Sequence, residues 1–284
     1  MATIMDGEVV STALMEKMLI DREKLRIKNI MPTVEIIRVG TKRDALAYEA
    51  AVKKMFKRIE INCIVSAYPA EISQEKLIIE MKKKNEDKHI HGILVLRPLP
   101  NQLDECIIGK CLNPIKDIDG MTPYNLGNII LENNSTHLPC TPIAVLELLS
   151  YYKIDILGRR IVVVGQSSAI GKPLTVLLLN RGATVTTVNI HTKDLKKSCL
   201  EADIIISATG KKGLIREDFI SSKAIVIDVG ISVDERGEIS GDVCFEEVKE
   251  KCEFITPVPG GIGLITTTVL ARNALRSADT EKKD

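Results

Sequence analysis

The sequence has no tryptophan, and aromatic residues make up only 3% of its 284 positions. It therefore lacks the aromatic platforms on which single-stranded nucleic acid stacks. It has no excess of either charge: 39 Lys and Arg stand against 38 Asp and Glu, a formal net charge of +1. No global field recruits nucleic acid or an anionic membrane, and lysine runs such as Lys82-Lys83-Lys84 sit among acidic residues and read as solvated helix faces. No apolar run approaches the ~20 residues that span a bilayer. The first residues, MATIMDGEVVSTAL, have neither a basic nor an apolar stretch, so no signal peptide is expected. Seven cysteines at 63, 106, 111, 140, 199, 244 and 252 are odd in number and scattered, without C-x-x-C spacing. That pattern argues against both a disulfide framework and a zinc site, and for a reduced, cytoplasmic protein with no bound metal. Internal repeats and low-complexity blocks are absent.

What the sequence does contain is alternation of short apolar runs with helical spacing. The central example lies at 159–189: a β-branched run at 161–164, a turn at 165–168, helical spacing over 169–180, and a second strand from 183 to 188. This is one βαβ unit. Its turn holds Gly165 and Gly171, where backbone can approach a ligand, and Ser167 and Ser168, which can cap a helix whose N-terminus favours phosphate. Pro173 falls in the first helical turn, where a missing N–H costs least. The pattern G-x-S-x-x-x-G-x-P reads either as a dinucleotide cradle or as a merely tight βα turn, because it departs from the usual G-x-G-x-x-G.

The remaining chain follows the same rhythm. Helical spacing at 10–27, 45–58 and 74–85 alternates with strands at 33–39, 61–66 and 90–96, a first α/β layer. Residues 101–138 read as irregular, punctuated by Pro114, Gly120, Pro123 and Gly127, the kind of loop that follows strand ends and carries ligands. A helix at 143–152 leads to the βαβ unit, followed by strands at 203–207 and 224–229. The stretch at 256–263 is too rich in Pro and Gly for a regular element and must be a shaped loop. A last helix covers 264–276, and 277–284 reads as a frayed polar tail. The fold class is therefore α/β: two α/β domains, the C-terminal one Rossmann-like with a parallel sheet.

Several motifs stand together: KDID at 116–119 before Gly120, PCTP at 139–142, VVGQSSAIGKP at 163–173, VIDVGI at 226–231, GDV at 241–243 and TPVPGGIG at 256–263. In this order and spacing they closely resemble the methylenetetrahydrofolate dehydrogenase/cyclohydrolase family. The likeness runs from about residue 33 to 275. It implies a homodimer whose folate domain comprises 1–138 plus 270–284 and whose NAD(P)-binding Rossmann domain comprises 139–269, with the active site in the cleft between them. It further implies oxidation of 5,10-methylenetetrahydrofolate with NADP or NAD, followed in most members by hydrolysis to 10-formyltetrahydrofolate. By resemblance, Tyr48 stacks on the folate, Asp119 hydrogen-bonds the pterin, and Pro257, Gly260 and Gly261 wall the folate. Gly165, Gln166, Ser167, Ile190 and Ile231 fall at dinucleotide contacts. Each residue also has a plainer reading: Tyr48 as a half-buried helix aromatic, Asp119 as a turn residue before Gly120, the PVPGG loop as a connector, Ile231 as core.

The sequence departs from the family at the chemistry. The family's catalytic lysine, four residues after the tyrosine, falls at Val52. Residues four apart lie about 40° apart around a helix, whereas Lys53 and Lys54 lie roughly 140° and 120° from Tyr48. Neither shares the tyrosine's face. The glutamine that partners the lysine is replaced by Leu96, and the neighbouring Arg97 stays protonated and cannot act as a base. The serine three residues before the tyrosine is Ala45. Lys53, Lys54 and Arg97 remain the candidates for residual catalysis, alongside Tyr48 and Asp119. The usual 2′-phosphate contacts are also altered: the family's Gly-Arg-Ser is Gly165-Gln166-Ser167, and its His-Ser-x-Thr is Asn189-Ile190-His191-Thr192. This weakens the case for NADP, with Lys172, Arg181, His191 and Lys193 as compensating cations. The expectation is a dehydrogenase with weak or lost cyclohydrolase activity. The alternatives are a monofunctional NAD-linked dehydrogenase and, more distantly, a folate- or dinucleotide-binding protein without turnover.

Overall fold

The computed structural model describes residues 2–133, 137–234 and 237–280. The chain opens with β1 (Thr3–Ile4) and α1 (Gly7–Ile27), then alternates β2 (Thr33–Val39), α2 (Arg43–Arg58), β3 (Asn62–Tyr68), α3 (Gln74–Glu86) and β4 (Gly92–Val95). Three helices follow: α4 (Glu105–Cys111), α5 (Pro123–Ile130) and α6 (Cys140–Tyr151). The rest runs β5 (Arg160–Val164), α7 (Gly171–Leu179), β6 (Thr184–Val188), α8 (Leu195–Leu200), β7 (Ile204–Ser207), β8 (Ile225–Asp228), β9 (Ser232–Val233), β10 (Ile239–Ser240), α9 (Phe245–Val248), β11 (Phe254–Ile255) and α10 (Ile262–Thr280).

The chain divides into two compact units. One gathers Ala13–Cys140 with the chain from Thr267 onward; the other joins the N-terminal residues through Thr12 to Thr141–Thr266. The expected division placed residues 1–12 with the first domain. In the structure β1 pairs with β11 in parallel, Thr3 opposite Phe254 and Ile4 opposite Ile255. A two-residue strand carries no periodicity, so no local pattern marks it.

The first unit is built on a parallel sheet of order β3-β2-β4. β2 is central and buried along nearly its whole length, as expected for a strand covered on both faces. α2 buries Val52, Met55 and Phe56, one stripe at helical spacing, and the Glu49 carboxylate meets the Arg38 guanidinium of β2 at 2.8 Å. α3 contributes Leu77 and Met81 to the same core as Ile37 and Val95.

Residues 101–138 are not simply irregular. Asp104 caps α4 by accepting from the Cys106 and Ile107 amides at 2.8 and 3.1 Å. Thr122 caps α5 by accepting from the Asn125 amide at 3.2 Å, with Pro123 in the first turn. The polar and proline residues that read as loop are helix starts. The tail also differs: α10 continues through Thr280, and Ser277 is fully buried with its hydroxyl donating to the Ile115 carbonyl at 3.0 Å. The last four residues of that expected tail lie outside the described residues.

The second unit carries a six-stranded parallel sheet of order β1-β11-β8-β7-β5-β6. β5 lies between β6 and β7, so the chain reverses its progress across the sheet there, and an open α/β sheet binds ligands at the carboxyl ends of strands at such a point. β7 and β8 are buried along their entire length. The core beneath includes Val162, Ile205, Val226 and Ile255.

The turn between β5 and α7 is where packing is tightest. A Cβ at Gly171 would lie 1.9 Å from the Gly165 carbonyl oxygen, whereas a Cβ at Gly127, inside α5, would meet nothing within 4 Å. Gly171→Ala is therefore expected to destabilise the protein by about 2 kcal/mol or more, and Gly127→Ala to stabilise it by up to ~1 kcal/mol. Urea unfolding of the two variants checks both signs.

Candidate functional site

In the first unit α2 is regular through Tyr48 and Val52, so the two share a face. Val52 is 0% exposed and Leu96 4%; both positions expected to hold polar catalytic groups are hydrocarbon in the core. Lys53 and Lys54 are exposed, and the Lys53 ammonium lies 3.7 Å from Glu49. The structure does not bring either lysine into the group around Tyr48. Arg97 is half-buried, with its guanidinium 3.9 Å from Glu105.

The K-D-I-D motif resolves into two carboxylates with different tasks. Asp117, 1% exposed, accepts from the Thr122 amide at 2.7 Å and from Asn125 Nδ2 at 2.8 Å. It is the turn residue, not Asp119. Gly120 follows with φ +67°, and a Cβ there would lie 2.5 Å from the Leu138 carbonyl carbon, so the turn presses directly against the stretch leading into Cys140. The Cys140 thiol donates to the Ile118 carbonyl at 3.3 Å, and the backbone N–H and thiol of Cys140 stand close enough to Asp119 to favour its charged form. The Asn273 amide joins the cluster, Nδ2 donating to the Ile118 carbonyl at 2.8 Å and approaching Cys140 Sγ at 3.4 Å.

Electrostatics follow from burial. Withdrawal from water, with help from the Asp117 charge, raises the Asp119 carboxyl to about 7, against the hydrogen bonds from Cys140 and the charge of Arg97. Burial, then the charge of Asp119, raises the Tyr48 phenol well above its ordinary value. The same two causes push up the Cys140 thiol, which excludes it as a ready thiolate nucleophile. Tyr48, Arg97 and Cys140 thus all lie within electrostatic reach of Asp119. In the sequence Cys140 and Asp117 are only letters of their motifs; their roles depend on neighbours 21 and 5 positions away, which no local pattern displays.

In the second unit the glycines are required by the packing of the chain itself. Gly165 has φ +112° and a Cβ there would lie 2.4 Å from the Ala208 carbonyl oxygen, while Gly171 abuts Gly165 itself. They permit chain-on-chain contact and draw the ends of β5 and β7 and the start of α7 together. Ser167 caps the turn, its hydroxyl accepting from the Ile170 amide at 3.1 Å. The first-turn amides and dipole of α7 suit a phosphate group. Gln166 is tied by its side chain to Thr187 and Asn189, both at 2.9 Å. Ile190 and Ile231 are exposed, so Ile231 is not core.

Two buried acids support the neighbouring strand ends. Asp242 accepts from the Ser207 hydroxyl and from the amide and hydroxyl of Thr209 at 2.7–2.8 Å. Asp228 accepts from the amides of Gly230, Asp242 and Val243, its carboxyl raised to about 7 mainly by burial. Its own amide donates to Thr256 at 2.7 Å, at the start of the loop holding Pro257, Gly260 and Gly261. That loop is pinned where the Gly260 carbonyl accepts from the Gly7 amide at 2.8 Å. Among the described residues, no group of three or more His, Cys, Asp or Glu is arranged to hold a metal, and no helix is long and apolar enough to cross a membrane.

Comparison with known proteins covers both units. Residues 5–119 match the model of the tetrahydrofolate dehydrogenase/cyclohydrolase catalytic domain, and residues 139–282 match that of the corresponding NAD(P)-binding domain. The chain is similar to the bifunctional protein FolD of Clostridium kluyveri, 42% identical over 283 residues and covering 100% of each chain. Among solved structures, bifunctional FolD from Campylobacter jejuni has a TM-score of 0.94 at 38% identity, with 98% of this chain and 99% of that one covered. The Trypanosoma brucei enzyme, solved with NADP cofactor and an inhibitor, also has a TM-score of 0.94, at 32% identity with 100% and 99% covered.

The raised Asp119 carboxyl has a sign for stability. Its folded value of about 7 exceeds the ordinary 3.8, so the folded state binds this proton more tightly and loses stability as pH rises from about 4 to 7. Asp119→Asn removes that penalty. At pH 8 the variant is expected to melt roughly 2 °C or more above the parent, with the difference vanishing near pH 4; thermal melts across pH check this.

Proposed function

The chain belongs to the tetrahydrofolate dehydrogenase/cyclohydrolase family, and on that premise we propose that it works chiefly as a 5,10-methylenetetrahydrofolate dehydrogenase and hydrolyses the methenyl product poorly. In this reading Tyr48 stacks on the folate and Asp119 hydrogen-bonds the pterin. Pro257, Gly260 and Gly261 contact the substrate. Gly165, Gln166, Ser167, Ile190 and Ile231 hold a nicotinamide dinucleotide, with its pyrophosphate at the start of α7. When bound, the dinucleotide supplies the hydride acceptor.

The two reactions ask different things of the protein. Oxidation at the methylene carbon produces a cation stabilised by the substrate's own nitrogens, so the chain needs mainly to hold and orient the reactants. Hydrolysis needs a water deprotonated and aimed at the methenyl carbon, which is general-base work. The observation that carries the proposal is Val52: one turn beyond Tyr48, fully buried and uncharged, with Leu96 as its apolar counterpart. Lys53 is turned to Glu49, and Arg97 is a permanent cation. Asp119 is engaged by Cys140. None of these groups is placed as a free base.

We also propose a cytoplasmic homodimer. Among the described residues β3 pairs only with β2, and it leaves Ile64 44% exposed; an edge strand of this kind is suited to cover by a second copy.

Two assays of the purified protein test the division of labour. Dinucleotide-dependent oxidation of methylenetetrahydrofolate is expected to proceed, while added methenyltetrahydrofolate decays within about twofold of the uncatalysed rate. Val52→Lys combined with Leu96→Gln is expected to accelerate that decay by roughly 10-fold or more, the low side of what a positioned base contributes. Strong acceleration by the unmodified protein overturns the proposal, and its loss in Lys53→Ala, Lys54→Ala or Arg97→Ala would name the responsible group.

A further inference from the structure

The ends of β5 and β6 emerge side by side, with Val164 opposite Val188, so Gln166 and Asn189 leave the sheet as neighbours. Gln166 Nε2 donates to the Thr187 hydroxyl at 2.9 Å, and Asn189 Nδ2 donates to Gln166 Oε1 at 2.9 Å. Asn189 is itself fixed from the following turn. Its side-chain oxygen accepts from the His191 amide at 2.9 Å, and its own amide donates to the Thr192 hydroxyl at 2.9 Å. Three elements thus lock two carboxamides in place at the end of the second strand of the βαβ unit.

That position has a defined task in doubly wound folds. The first strand's turn takes the pyrophosphate, and the end of the second strand, some twenty residues on, meets the adenosine ribose. A carboxylate there selects an unmodified ribose, whereas an arginine accommodates a 2′-phosphate. Gln166 and Asn189 do neither by charge. A carboxamide both donates and accepts, so the second N–H of Asn189 and the remaining lone pair of its oxygen can exchange hydrogen bonds with a 2′-hydroxyl. A phosphate dianion would find only neutral donors and a carbonyl oxygen facing it, where the strong partner is a cationic fork.

The nearby cations do not make good this lack. Arg181 Nη1 donates to the Leu177 carbonyl at 3.0 Å, at the end of α7 opposite the phosphate turn, and its surroundings lower its pKa through burial. Lys172 and Lys193 are exposed, and Lys193 is followed by Asp194, whose carboxylate caps α8 at the Lys197 amide. An exposed lysine's charge is screened by water, and it lacks the planar fork that grips a phosphate at two oxygens.

We infer that the locked Gln166–Asn189 carboxamide pair selects NAD over NADP by pairing with the 2′-hydroxyl of the adenosine ribose and offering no charge to a 2′-phosphate. The inference rests on the proposed dehydrogenase reading and names its dinucleotide. The test is equilibrium binding of NADH and NADPH to the purified protein without folate, followed by fluorescence, together with kcat/KM for NAD and NADP. NADH is expected to bind at least tenfold more tightly than NADPH, with kcat/KM in the same direction. Asn189→Asp, nearly isosteric, is expected to widen the NADH preference at least tenfold further through repulsion of the 2′-phosphate. Gln166→Arg is expected to shrink the preference at least tenfold. Equal or tighter binding of NADPH by the unmodified protein overturns the inference, as does an Asn189→Asp variant with an unchanged ratio. NADH-selective binding without oxidation of methylenetetrahydrofolate would sink the dehydrogenase reading and leave the selection standing; oxidation that runs equally well with both dinucleotides does the reverse.

Discussion

A carboxylate held out of water organises the first unit. Asp119 keeps its place because Asp117 anchors the turn before it, Gly120 lets that turn press against the residues leading into α6, and the Cys140 thiol donates to the neighbouring Ile118 carbonyl. Asn273 of α10 closes the cluster from the far end of the sequence. Each of these groups alone is a minor hydrogen bond. Together they hold an acid where burial lifts it to about 7. The environment that raises Asp119 also keeps Tyr48 protonated and Cys140 a thiol, so the site offers a hydrogen-bonding acid and an aromatic face rather than a nucleophile.

The second unit solves a related problem with backbone instead of charge. Gly165 and Gly171 bring strand ends and a helix start into direct contact, and Asp228 and Asp242 bind the amides of the next turns from beneath. Loops at the carboxyl ends of β5, β7 and β8 are thereby fixed without spending the surface a dinucleotide needs. Ile190 and Ile231 are left exposed, whereas Pro257 and Gly260 are half-buried and Gly261 is buried. Rigid support under loops is what precise placement of two reactants requires.

Much of this was legible in the sequence, for identifiable reasons. The βαβ unit, the alternating strands and helices, and the isolation of Lys53 and Lys54 from the Tyr48 face all follow from periods of 2 and 3.6, which are local properties. The misreadings have equally local causes. Thr122-Pro123 and Asp104 look like loop because capping residues and turn residues are the same types, and β1 is too short to show a period. The carbonyl oxygens that demand glycine at 165 and 171 belong to Ala208 and to Gly165 itself, and the Ala208 contact is a long-range one that the local pattern does not show. The pairing of Asp119 with Cys140, and the contact of Ser277 with Ile115, join positions far apart in sequence, and single-sequence patterns do not encode such contacts.

The central claim is a separation of two reactions that the family couples, caused by hydrocarbon where a base is expected. It is tested most directly by following methenyltetrahydrofolate and reduced dinucleotide together through one progress curve of methylenetetrahydrofolate oxidation, under conditions where spontaneous hydrolysis is slow. The account predicts that the two rise in parallel, with methenyltetrahydrofolate accumulating as the released product. If methenyltetrahydrofolate stays at trace level while 10-formyltetrahydrofolate rises with the reduced dinucleotide, a base is present that Val52 and Leu96 do not supply, and the account is contradicted.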